Sequence, residues 1–207
     1  MYVIKRDGRT ELVSFDKISR RIVTLADGLV GVDAMIISQK VVAGVFPGVT
    51  TSQLDELAAE TAAACMTQHP EFGKLASRIS VSNMQKNTPR TFSDVIVILK
   101  NHVHPKTGLA APLVSQLVYN IVMENTDLIN SKIVHERDFE FDYFGFKTLE
   151  KSYLLRKDGV VLERPQYLFM RVALGIHGND LESAFETYSL MVKIFIQQRR
   201  TNEVIAF

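Results

Sequence analysis

The chain has 207 residues, 46% of them hydrophobic and 23% charged, with a formal net charge of +1; this is the balance of a globular protein with room for one large or two small domains. Near-neutral charge argues against a nucleic-acid binder held by phosphate neutralisation, the longest apolar runs (Val95 to Leu99 is one) fall far short of the roughly 20 residues that span a bilayer, and no secretory pattern follows Met1, so no membrane or nucleic-acid partner is expected and the cytoplasm is the expected compartment. Cys65 is the only cysteine, which leaves no internal disulfide or thiolate zinc cluster and assigns it a buried, small apolar role.

Tyr2 to Lys5 and Thr10 to Val13 are β-prone runs on either side of Arg6-Asp7-Gly8-Arg9, and Asp-Gly is a strong tight-turn dipeptide, so the chain opens with a predicted hairpin. Ser14 reads as an N-cap for a helix with Phe15, Ile18, Ile22 and Leu25 on one face, ending near Asp27-Gly28. A second helix is predicted from Asp33 to the Pro47-Gly48 break. A third opens at Thr50-Thr51-Ser52-Gln53, where Thr50 and Gln53 have capping-box spacing, and continues through the alanine-rich stretch to Met66, whose small residues permit close helix packing. Pro70 suits the first turn of a fourth helix, whose apolar stripe Phe72, Leu75, Ile79 and Met84 stops at Asn87-Thr88-Pro89. A hairpin plus four helices forms a predicted domain over 1–88.

Beyond it the pattern stays helical. Ser93 is expected to cap a run through Leu99, and Pro112 to lead a stripe of Leu113, Leu117, Ile121 and Val122. The aromatic cluster Phe139, Phe141, Tyr143, Phe144 and Phe146 reads as strand-like or irregular, Lys157-Asp158-Gly159 as a tight turn, and two helices, near Pro165 to Ile176 and Leu181 to Phe195, follow. The predicted fold class is mainly α.

No phosphate-loop or dinucleotide-binding glycine motif is present. An anion site is nonetheless available at the N-terminus: from Met1 to Arg21 the cations Lys5, Arg6, Arg9, Lys17, Arg20 and Arg21 face only Asp7, Glu11 and Asp16, and Ser14 to Lys17 present the amide-rich start of a helix. On composition alone a solvated basic face on a hairpin is the simpler account. The five histidines and the acidic residues form no metal or catalytic pattern.

Three blocks of sequence alter that balance: Met1-Tyr2-Val3-Ile4-Lys5-Arg6-Asp7-Gly8-Arg9; Val13-Ser14-Phe15-Asp16-Lys17-Ile18; and Gly48-Val49-Thr50-Thr51 with Leu54-Asp55-Glu56-Leu57-Ala58-Ala59-Glu60. Together they resemble the ATP-cone of eukaryotic-type class I ribonucleotide reductase large subunits. The likeness continues through Ala76-Ser77-Arg78-Ile79-Ser80, Tyr143-Phe144-Gly145-Phe146-Lys147-Thr148-Leu149-Glu150, Glu163-Arg164-Pro165-Gln166 and Met170-Arg171-Val172-Ala173, reaching to about residue 190. It divides the chain into a cone over 1–88, a helical reductase segment over 89–192 and a divergent tail over 193–207.

The resemblance implies an activity switch: ATP permits and dATP suppresses ribonucleoside-diphosphate reduction by changing how large subunits assemble. It places the effector pocket on Lys5, Arg6, Glu11, Leu12, Val13, Ser14, Phe15, Asp16, Lys17, Thr51, Asp55 and Lys86. Lys5, Arg6, Lys17 and Lys86 are expected to face phosphates, Mg to accompany them, and Asp55 to accept from a sugar hydroxyl. No catalytic or metal-ligating residue is assigned. The implied partners are full-length large subunits and the small radical-bearing subunit. In the family the helical segment leads into a ten-stranded α/β barrel with redox cysteines, none of which is found here, so the chain reads as a truncated reductase, inactive alone, with partly exposed apolar faces in its second segment. The alternative is a non-catalytic ATP/dATP-sensing module that docks on full-length subunits. Stand-alone cone repressors of DNA are disfavoured, because they carry a cysteine-rich zinc ribbon.

Overall fold

A computed structural model describes residues 1–205, with side chains through Ile196. It divides into two compact units, one of residues 1–87 with 142–146 and the other of 88–141 with 147 onward.

The first unit begins with a hairpin of β1 (Tyr2–Ile4) and β2 (Thr10–Leu12), paired antiparallel with Val3 opposite Glu11. Lys5 and Arg9 close it, the Lys5 amide donating to the Arg9 carbonyl at 2.8 Å. This leaves a three-residue connection in which Gly8 adopts φ +82°, the left-handed position that such a loop reserves for glycine. Segment 48–50 runs beside β1, with the Ile4 amide donating to the Val49 carbonyl at 3.0 Å.

Four helices follow. In α1 (Phe15–Leu25) Ser14 is the N-cap and its side chain accepts from the Lys17 amide; in α2 (Ala34–Ala43) Asp33 caps, accepting from the Met35 amide at 2.8 Å. In α3 (Thr51–Ala64) Thr50 and Gln53 form a full capping box. The last, α4 (Glu71–Asn87), follows Pro70. Ala58, Ala59 and Ala62 of α3 are buried with Leu75, Ala76 and Ile79 of α4, and small side chains on one helix let the two backbones approach closely. The Asn83 and Asn87 side-chain amides donate to Ser52, so the end of α4 lies at the start of α3. Cys65 is buried in the same core.

The second unit holds α5 (Phe92–Lys100), α6 (Gln116–Glu124), α7 (Thr126–Lys132), a 3-10 segment over His135–Glu140 and most of α8 (Tyr143–Ser152). A small hairpin of β3 (Arg156–Lys157) and β4 (Val160–Val161) precedes α9 (Pro165–His177) and α10 (Leu181–Ile205). Asp158 and Gly159 both take positive φ, the two-residue hairpin geometry that Asp-Gly favours. Phe92, Ile121, Ile129, Tyr167, Met170 and Tyr188 are buried in this core. Burial pushes the Tyr167 phenol up to about 12, so its hydroxyl stays protonated and donates to the Arg90 carbonyl at 2.7 Å. Glu163, fully buried, accepts from Arg171 at 2.5 Å and from the Leu155 amide at 2.9 Å, as a buried carboxylate must.

Several local expectations need correction. Ser93 does not cap α5. The N-cap is Thr91, and Ser93 is instead buried against Asn130, whose side chain donates to its hydroxyl at 3.0 Å. Helix α6 begins at Gln116 behind an Ser115 cap, not at Pro112, and Leu117 is exposed. The aromatic cluster is mostly helical: Phe139 lies in the 3-10 segment and Tyr143, Phe144 and Phe146 open α8, while Phe141 between them keeps an extended, irregular backbone. Helix α7 had no expectation, because its seven residues carry too little apolar periodicity to show. The last helix continues to Ile205. Of the divergent tail, residues 206 and 207 and the side chains from 197 onward lie outside the described residues. Ile176, Leu190, Ile194 and Phe195 are exposed apolar side chains of α9 and α10. No helix among the described residues is long and apolar enough to cross a membrane.

Ala62 has no exposed surface, so Ala62→Leu is expected to overpack the contact between α3 and α4 and destabilise the first unit by about 1–3 kcal/mol. A urea titration should show a lowered midpoint for that unit. An unchanged midpoint would mean that the helices are not closely packed there.

Candidate functional site

The hairpin, the N-terminal half of α1, the start of α3 and the end of α4 enclose a cavity of about 370 Å³, within the size range of small-ligand sites. Ten of the twelve residues singled out in the sequence line it: Lys5 and Arg6 at the end of β1, Glu11, Leu12, Val13 and Ser14 at the end of β2, Lys17 on α1, Thr51 and Asp55 on α3, and Lys86 on α4. Phe15 and Asp16 do not. Both are exposed on the first turn of α1, where only their backbone amides, lacking partners within the helix, are available to a ligand.

The walls are of two kinds. Val3, Ile18, Ile22, Leu54 and Ala58 make an apolar floor. Around it stand the cations Lys5, Arg6, Lys17, Arg21 and Lys86 and the acids Asp7, Glu11 and Asp55.

At the deepest polar point Asp55, with its side chain 8% exposed, meets two guanidinium groups. Arg21 takes it in a fork, Nε donating to Oδ1 and Nη2 to Oδ2 at 2.9 Å. Arg6 makes a single contact, Nη2 donating to Oδ2 at 2.7 Å. The rest of the Arg6 head is shared: Nη2 also donates to Asn83 Oδ1 at 2.6 Å, Nε to Asn87 Oδ1 at 2.7 Å, and Nη1 lies 3.4 Å from Thr51 Oγ1. Charge-assisted bonds of this kind are among the stronger ones in proteins, and the fork is the more specific geometry.

On the other side Lys17 and Lys5 both pair with Glu11, Lys5 at 3.3 Å. The Lys17 hydrogen bond, with Lys5 second, holds the Glu11 carboxyl below its ordinary range. Lys86 is the cation short of a counter-charge: burial first, and then the nearby Arg21 charge, hold its amine below the usual lysine range, Arg6 and Lys5 adding to the effect and Asp55 opposing it. Positive charge is therefore in excess, and an anion entering the cavity would relieve it.

In the sequence Arg21 and Asp7 fall in the N-terminal charge patch and Ile18 and Ile22 on the apolar face of α1, but none of them is assigned there to the pocket that they line. Arg21 carried a signal, since it follows Lys17 by four residues on α1 and so shares its face. The role of Asn83 and Asn87, also four apart, depends on α4 meeting α3, which no local pattern reveals.

A hairpin and four helices thus enclose a cationic cavity with an apolar floor, the composition of a site for an anion that carries an apolar group. Residues 1–87 match the ATP cone domain family, and residues 139–196 match the family described as ribonucleotide reductase, all-alpha domain. Over 193 residues, 92% of this chain, it is 57% identical to the ribonucleoside-diphosphate reductase large chain 2 of Saccharomyces cerevisiae and 54% identical to the large subunit of Arabidopsis thaliana, covering 22% and 24% of those proteins. The large subunit of vaccinia virus is 52% identical over 92% of the chain and 25% of its own length. The chain belongs to the ribonucleotide reductase large subunit family, as its N-terminal part, and spans about a quarter of the length of the curated relatives it matches.

Removing the central carboxylate should leave two guanidinium groups facing each other. Asp55→Ala is expected to destabilise the first unit by about 1–2 kcal/mol, less than the loss of a fully buried pair because both arginines are about a quarter exposed. Inorganic phosphate should restore part of the loss in thermal melts. A variant as stable as the parent, with no response to phosphate, would contradict this account of the charge balance.

Proposed function

We propose that the cavity of the first unit is an effector site for ATP or dATP, and that the chain acts as the regulatory front part of a ribonucleoside-diphosphate reductase large subunit. The observation that supports it is the juxtaposition, in one cavity, of surplus cations and an apolar floor, within the stretch that matches the ATP cone. A nucleotide has that same division, a polyanion at one end and a flat apolar base at the other. Lys5, Lys17 and Lys86 would meet the phosphates together with the amides at the start of α1, whose partial positive charge favours anions. The base would lie against the floor. Asp55 is the acceptor for a sugar hydroxyl, and a site that bonds a hydroxyl senses its absence because the partner is left unpaired.

Among the described residues no group of three or more His, Cys, Asp or Glu is arranged to hold a metal. Mg would therefore arrive on the nucleotide's own phosphates, as it usually does. Cys65 is the only cysteine and is 1% exposed, so the thiol chemistry of ribonucleotide reduction is not supplied by these residues. What the chain contributes is control: ATP permits and dATP suppresses reduction, through assembly with full-length large subunits and the small radical-bearing subunit, in the cytoplasm.

Calorimetric titration with each nucleotide tests this reading. Saturable binding of both is expected, weakened about tenfold or more by Lys5→Ala, as for loss of one charge-assisted contact. A folded chain that binds neither nucleotide would refute it.

The depressed Lys86 adds a pH signature. A bound polyanion favours the ammonium, so the pKa is higher in the complex than in the free chain. Affinity should be full below the free-chain pKa and fall as pH rises through it toward the ordinary lysine range. Lys86→Gln should flatten that fall; an identical profile in the variant would show that Lys86 does not face the phosphates.

A further inference from the structure

In this structure Asp55 is not free to accept from a ligand. Its Oδ2 takes bonds from both Arg6 and Arg21, and its Oδ1 takes the second arm of Arg21. Any hydroxyl that uses Asp55 must displace one of these donors. The two arginines differ in how firmly they hold. Arg21 is engaged as a fork, with two parallel bonds to one carboxylate and one weaker contact to Ser82 at 3.4 Å. Arg6 gives Asp55 one bond and divides its remaining donors among Asn83, Asn87 and Thr51, which are neutral acceptors that a phosphate would outcompete. Arg6 also sits at the hairpin turn beside Lys5, on the cationic side of the cavity, whereas Arg21 stands one turn further along α1 than Lys17.

We infer that Arg21 is the positioning residue of the effector site: its fork holds the Asp55 carboxylate in place while Arg6 transfers from Asp55, Asn83 and Asn87 to the nucleotide's phosphates, opening one acceptor position on Oδ2 for a sugar hydroxyl. The inference rests on the nucleotide reading above. The exchange makes and breaks only hydrogen bonds and ion pairs. The Asp55 carboxylate keeps one guanidinium partner throughout, so it is never left bare, and the arginine released joins the lysines in offsetting the charge that the triphosphate brings in. Discrimination between ATP and dATP then depends on Arg21 although Arg21 touches neither, because a carboxylate free to rotate would meet the sugar in several geometries.

The test is a double-mutant cycle on the full chain, read as the ratio of ATP to dATP affinity. Arg21→Gln is expected to change that ratio by about threefold or more in the parent, of the order of one hydrogen bond gained or lost, and to leave it unchanged in an Asp55→Asn background. Arg21→Lys, which keeps the charge and loses the fork, should recover overall affinity but not the ratio. An Arg21 that merely supports the fold or attracts phosphate would lower both affinities alike, and an unchanged ratio, or the same change in both backgrounds, overturns the inference while leaving the nucleotide site standing. Should the variants fail to fold, the parent chain still decides it by nuclear magnetic resonance. Saturating ATP should shift the Asn83 and Asn87 side-chain amides and leave the Arg21 Nε–H in place; asparagines that do not respond, or an Arg21 that does, overturn it. Absence of any ATP or dATP binding by the folded parent overturns both readings together.

Discussion

The close approach of α3 and α4 is the constraint on which the site depends. With Ala58, Ala59 and Ala62 buried against Leu75, Ala76 and Ile79, the two helices bring the start of one beside the end of the other. Thr51 and Asp55 thereby come to face Asn83, Lys86 and Asn87 across a gap that the hairpin's Arg6 can span. A larger residue in that alanine run would separate the helices, and the contacts that bridge them, from Ser52 to Asn83 and Asn87 and through Arg6 to Asp55, would lengthen with them. The capping box at Thr50 fixes where α3 begins, and the pairing of residues 48–50 with β1 fixes where that start lies relative to the hairpin. Packing, capping and strand pairing, none of them chemical in itself, set the position of each charge.

Electrostatics completes the arrangement. One nearly buried carboxylate lies between two guanidinium groups, and both of its oxygens accept from them, as a buried carboxylate requires. Together with three lysines and only two further acids it leaves the cavity short of negative charge. Burial is the first cause of the depressed Lys86 pKa, and the Arg21 charge is the second. A cavity so composed has its central carboxylate bonded within the chain and retains a surplus of cations for an anion.

The cone was legible in the sequence almost element by element. Ser14, Asp33 and Thr50 cap as their side chains suggest, the turn at Gly8 takes the φ its residue permits, and Pro70 precedes α4. Local chemistry decides these features, and local chemistry is what a sequence displays. The second unit was less legible, because some of its polar and aromatic residues are placed by burial in the core rather than by local chemistry. Ser93 looks like an N-cap and is used instead as a buried partner for Asn130, and the aromatic cluster alternates like a strand yet opens a helix. The site divides in the same way: the resemblance led to residues that share a cavity, but the fork of Arg21 on Asp55 and the asparagines that hold Arg6 are products of tertiary contact.

A crystal structure of the chain grown with ATP would test the central claim most directly, by showing which groups face the triphosphate and which face the base. The account predicts the triphosphate among Lys5, Lys17 and Lys86 at the start of α1, with the base on the floor formed by Val3, Ile18 and Ile22. A nucleotide bound elsewhere, or one lying in this cavity with its base toward the lysines, would contradict it.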